Sequence, residues 1–89
     1  MANRAHRVTA TGTAYDAGAA VECAMRGARL LGGSDISKAI IRETDGSGAV
    51  LCELQCAANE SDESMIPILF RQKLHVTLTG TGAACTVYV

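Results

Sequence analysis

"AYDAGAAVECAMRGARLLGG", residues 14–33, decides whether this chain is all-β or mixed. Ala17, Ala20, Val21, Ala24, Met25, Ala28 and Leu31 recur at the spacing of one helix face, with Asp16 placed as an N-cap and Gly32-Gly33 as a stop. Against a helix, Gly18 and Gly27 would each cost about 1 kcal/mol in its interior. Arg26 to Leu31 also reads as a strand with Gly27 at a bulge. Pattern alone leaves both readings open. A single helix over 16–31 would need a sheet to lie on, giving an α+β fold.

Downstream, "KAIIRETDGSGAVLCELQC", residues 38–56, has turn chemistry at Asp45-Gly46-Ser47-Gly48. On either side the pattern has period two. Ala39 and Ile41 share a face with Val50, Cys52 and Leu54, while Lys38, Arg42, Glu53 and Gln55 take the other. This predicts a hairpin with one dry face and cross-strand charge pairs. Upstream, Val8, Ala10 and Gly12 alternate with threonines, which predicts one strand over residues 5–14. The acidic "AANESDESM", residues 57–65, reads as a surface loop. Residues 66–70, "IPILF", read as a short strand near an edge because Pro67 cannot donate to a ladder. Arg71-Gln72-Lys73 then forms a turn.

The closing stretch, "LHVTLTGTGAACTVYV", residues 74–89, poses a second choice. Gly80 and Gly82 could begin a phosphate-binding loop, but such a loop needs a helix directly after it. Cys85 stands where the third glycine of that motif belongs, and β-branched residues follow. A hairpin bending at Gly80 to Ala83 is the better reading. It places Leu78 opposite Cys85, Val76 opposite Val87, Leu74 opposite Val89, and His75 across from Tyr88 on the other face. With 16–31 as strand, about seven short strands result, which is the signature of a small antiparallel β-sandwich.

Composition bounds what such a domain can do. Eighty-nine residues make a single domain over 1–89, with residues 1–7 as an extended arm. A chain of this size buries only about 60–65% of the surface its unfolded form exposes. Apolar residues are 48% of the chain, yet only two Tyr and one Phe are present, so the core is thin and assembly with partners is expected. Net charge is −1. Residues 1–42 carry six basic and three acidic side chains, and residues 43–89 two basic and six acidic. A two-signed surface suits copies of the same chain or a mosaic protein partner better than nucleic acid. No stretch has the apolar length of a signal peptide or a membrane span, which predicts a protein made and kept in the cytosol.

No residues assemble into a catalytic pattern. The four cysteines lack the paired spacing of a zinc site, and Cys52 and Cys56 would lie about 13 Å apart on one strand. They read as small core residues rather than as metal ligands or disulfides. Glu60, Asp62 and Glu63 lack the glycine and terminal glutamate of an EF-hand. The chain therefore reads as a non-enzyme with no cofactor, metal or small-molecule substrate.

Three motifs carry a resemblance. Arg26-Gly27-x-x-Leu30-x-x-Gly33-Ser34-Asp35, the turn at Asp45 to Gly48 with the alanine-containing run Cys56 to Asn59, and Leu74 to Tyr88 cover about two thirds of the chain. Together they resemble a type of small structural protein of tailed bacteriophage virions. The resemblance implies that 26–31 is a strand and that the protein is a non-enzymatic virion component, assembled in the host cytoplasm. The role it implies is capsid decoration or cementing, with the major capsid protein and copies of itself as partners. The alternative is a tail or fibre module that binds a host receptor or another virion protein. Exposed strand edges and the N-terminal segment would make the contacts, with Arg4, His6, Arg7, Arg26, Arg29, Phe70 and Arg71 as candidate interface residues.

Overall fold

The computed structural model describes residues 4–89, and every regular element among them is a β-strand. There are ten: β1 (Ala5–Val8), β2 (Gly12–Asp16), β3 (Glu22–Met25), β4 (Gly27–Leu31), β5 (Ser37–Glu43), β6 (Val50–Cys56), β7 (Ser61–Ser64), β8 (Ile68–Arg71), β9 (Lys73–Thr79) and β10 (Ala84–Tyr88). The all-β sandwich is therefore the fold, and the helix over 16–31 does not form. In its place stand β3 and β4, parted at Arg26, whose N–H donates to the Tyr88 carbonyl at 2.7 Å. The residues that gave the helical spacing do not share one buried face: Met25 and Ala28 are buried, whereas Val21 and Leu31 are exposed.

Two four-stranded antiparallel sheets face each other, one ordered β1-β10-β4-β7 (sheet A), the other β2-β9-β5-β6 (sheet B). A two-stranded ribbon, β3-β8, stands beside them. Strands that are consecutive in sequence thus stack across the core: β1 over β2, β10 over β9, β4 over β5, β7 over β6. Each of these four connections is an arch from one sheet to the other, and only β5–β6 is a hairpin. Ala28, Leu30, Cys85 and Val87 from sheet A meet Ala39, Ile41, Leu54, Leu74 and Val76 from sheet B in one core, completed by Met25 and Phe70 from the ribbon.

Several expectations are corrected by this topology. The closing stretch is an arch, not a hairpin: β9 pairs with β2 and β5, whereas β10 pairs with β1 and β4. Leu74, Val76, Cys85 and Val87 are fully buried, as the pattern required, but they face one another from opposite sheets. Alternation specifies which side of a strand is dry, and both geometries satisfy it. Residues 5–14 likewise break at 9–11 into β1 and β2 in different sheets. The acidic loop over 57–65 contains an edge strand, β7, paired with β4. These divisions, with β3 beside β4, raise seven strands to ten.

The β5–β6 hairpin forms with its Asp45 turn, where Oδ1 accepts the Ser47 N–H at 2.8 Å. Its register differs at one place. Ala39 pairs with Leu54 and Ile41 with Cys52, but Arg42 pairs with Val50, so Leu51 is the extra residue of a bulge. One added residue reverses the face of all that follows. Val50 is accordingly 50% exposed rather than core.

Two arches are clasped together. The Thr81 carbonyl accepts the Ser34 N–H at 2.9 Å, the Thr81 N–H donates to Asp35 Oδ1 at 2.7 Å, and the Thr81 hydroxyl donates to Asp35 Oδ2 at 3.1 Å. Beneath them Ser37, fully buried, accepts the Gly33 N–H and donates to the Asp35 carbonyl, both at 3.2 Å. The close approach leaves no room for side chains. A Cβ on Gly33 would overlap the Thr81 carbonyl, and one on Gly80, whose φ is +113°, would run into Ser37. Gly33-Ser34-Asp35 and Thr79 to Ala83, which belong to two of the motifs carrying the resemblance, are thus halves of one structural joint.

Candidate interaction face

The outer face of sheet A carries two of the candidate residues, Arg7 and Arg29. In β10, Cys85 and Val87 point into the core, so Thr86 and Tyr88 point out. The pairing carries this parity across the sheet. One outward row runs Arg7, Thr86, Arg29, Glu63, and the next holds Ala5, Tyr88 and Gly27. Arg7, Arg29 and Glu63 are exposed, while Thr86 and Tyr88 are half-buried. Gly27 lies flat and is covered by the Met65 side chain, which is itself 52% exposed. Arginine, tyrosine and methionine are residue types enriched where proteins bind proteins, since each offers contact area with a polar or polarizable group.

The seven candidates divide as follows. Arg4 is exposed at the end of sheet A, exchanging two backbone bonds of 2.8 Å with Val89. Arg7 and Arg29 project from the face, and Arg26 is exposed between β3 and β4. Arg71 is exposed on the ribbon, beside Glu22. His6 and Phe70 are corrected. His6 pairs with inward-facing Val87, so its ring turns toward the core and packs edge-on against Tyr15, centroids 4.9 Å apart. Phe70 is 1% exposed and meets Tyr15 edge-on at 5.9 Å. Both belong to an internal aromatic row joining β1, β2 and β8, which two-residue alternation from Val8 and Ile68 would have revealed. Residues 1–3 of the expected arm lie outside the described residues, and residues 5–7 are part of β1.

Tyr88, Glu63 and Met65 were missed as candidates. Glu63 and Met65 lie in the acidic stretch whose composition predicts a loop, and the hairpin expectation sets Tyr88 against His75. In fact His75 is on the outer face of sheet B, flanked by Thr13 and Arg42 and lying under the turn at Gly46. Arg42 Nη1 donates to the Gly46 carbonyl at 2.8 Å, which holds that turn down. His75 Nδ1, Arg42 Nε and His6 Nε2 are buried with no hydrogen-bond partner.

The four cysteines are free thiols. Cys85 is fully buried, and burial pushes its thiol up to about 11, with the neighbouring Cys52 adding in the same direction. Cys52 is also raised, first by burial. A thiol held protonated is a poor nucleophile and a poor metal ligand. Among the described residues no group of three or more His, Cys, Asp or Glu is gathered as a metal site. No helix among them is long and apolar enough to cross a membrane.

No family model, curated protein or solved structure matches this chain.

Proposed function

We propose that the protein is a non-enzymatic virion component of a tailed bacteriophage, which binds the outside of the capsid and cements or decorates neighbouring major capsid subunits. The observation that carries this reading is the outer face of sheet A, where Arg7, Arg29, Tyr88 and Met65 stand on a braced two-layer scaffold. A cementing protein works by presenting a preformed surface, because a surface already ordered loses little entropy on binding. Many copies on a shell multiply weak contacts, so each interface can be small. The motifs that resemble virion proteins supply the joint between arches that stiffens this scaffold.

Electron microscopy of purified particles carrying the protein tests the proposal. Density over the capsid shell, lost on combining Arg29→Glu with Tyr88→Ala while the variant stays folded, is the expected result. Density confined to the tail, or particles without the protein, overturns it.

A further inference from the structure

We infer that the two edges of sheet A are complementary to each other, and that copies of this chain associate by pairing β7 of one with β1 of the next. The inference stands on edge geometry and does not depend on the virion reading.

Three features agree. The first is polarity. β1 is antiparallel to β10, β10 to β4, and β4 to β7, so β1 and β7 run in opposite directions. A second copy displaced sideways along the sheet therefore brings its β1 antiparallel to β7 of the first.

The second is the set of backbone groups that are unused among the described residues. In an antiparallel ladder, alternate residues turn both amide and carbonyl to the partner, and those between turn both away. Arg4 exchanges both bonds with Val89, so Ala5 and Arg7 present theirs to the open side of β1. Across the sheet, the Gly32 N–H donates to the Glu60 carbonyl at 2.7 Å, so Ser61 and Glu63 present theirs to the open side of β7. On edge strand β6 of sheet B one amide is already taken: Asp62, pointing inward from β7, accepts the N–H of Gln55 at 3.1 Å.

The third is charge and pleat. Ala5, Arg7, Ser61 and Glu63 are all exposed, and their side chains all point to the outer face, so joining the edges keeps the pleat continuous. Extending the row Arg7, Thr86, Arg29, Glu63 into a second copy sets the next Arg7 directly opposite Glu63. Opposite charges face each other at the seam, where like charges would repel. Charged edge residues usually prevent sheets from joining. Here the edges carry opposite signs, so the same device selects the partner. The contact is head-to-tail, so each added copy leaves one β1 and one β7 open.

Sedimentation velocity of the full chain at low salt, over a concentration series, tests this. The unmodified protein is expected to form a concentration-dependent series of species that shortens as salt is raised. Arg7→Glu and Glu63→Arg, each alone, put like charges at the seam and should weaken association roughly fivefold to thirtyfold. An equimolar mixture of the two variants restores an opposite-charge seam and should associate again. Circular dichroism of each variant checks that this exposed face tolerates the change. A protein that stays monomeric at millimolar concentration overturns the inference, as does association that neither substitution alters or a mixture that behaves as its separate components.

Discussion

Replacing Gly33 with alanine pushes a methyl group into the Thr81 carbonyl, and the only relief is for the Gly80 to Ala83 arch to move away. That movement breaks three hydrogen bonds: Ser34 N–H to Thr81 O, and Thr81 N–H and Oγ1–H to Asp35. At roughly 0.7–1.3 kcal/mol each, near the middle of the usual range, their sum is about 2–4 kcal/mol. Against a total of roughly 5–15 kcal/mol for a small domain, the loss is large. At about 1 kcal/mol per molar for a chain of this length, the urea midpoint should fall by roughly 2–4 M. Circular dichroism at the β-sheet minimum provides the assay. A second prediction is built in: Asp35→Ala alone removes two of the same bonds, so the double variant should fall short of additivity by about 1 kcal/mol or more. If Leu74 to Val89 were a hairpin, its bend would hang free of Gly33. Alanine there would then stabilise by about 0.4–1 kcal/mol through the unfolded chain. The two topologies thus predict opposite signs. An unchanged or raised midpoint for Gly33→Ala would refute the clasped arches.

Two further outcomes follow from the core. Val87→Asp places an unpaired carboxylate on a fully buried central strand, at a cost of several kcal/mol; the thermal transition should vanish, and a cooperative melt would sink the core assignment. Cys85 gives a signed dependence on pH. Its thiol titrates near 9.0 when free but is pushed up to about 11 when folded. Below pH 9 it is protonated in both states and contributes no slope. As pH rises toward 11 the unfolded chain releases the proton and the folded chain does not, so stability falls by up to about 3 kcal/mol. Urea midpoints compared between about pH 8 and about pH 10.5 should drop more for the native sequence than for Cys85→Ala. Equal drops would show that Cys85 is not the group responsible.

Much of the fold was legible because burial follows alternation. The dry faces of Leu74 to Val76 and Cys85 to Val87 follow from the pattern, and so does the dry face that Ala39 and Ile41 share with Leu54. What the pattern could not supply was the sheet to which each strand belongs. An arch and a hairpin bury the same residues, and they differ only in whether the backbones bond to each other or to distant strands. The clues lay in the bends: Gly33 and Gly80 are sites of close approach, and each makes sense only with the other present. The bulge at Leu51 was hidden for a similar reason, since Val50 is as apolar as its inward neighbours. In the interaction face, Arg7 and Arg29 are legible as charges on the N-terminal segment and on the strand over 26–31. Tyr88 and Met65 are not, because their exposure depends on which strands flank β10 and on Gly27 leaving space above it.

The arched connectivity also determines how the molecule can come apart. A hairpin excised from a protein keeps its own ladder, but a segment spanning one arch contains no strand able to receive its backbone donors. Outside Ser37 to Cys56, no short stretch within sheets A and B holds its hydrogen bonds locally. Every rung is closed by residues far away along the chain. Removing any one inner strand therefore strips two neighbours at once.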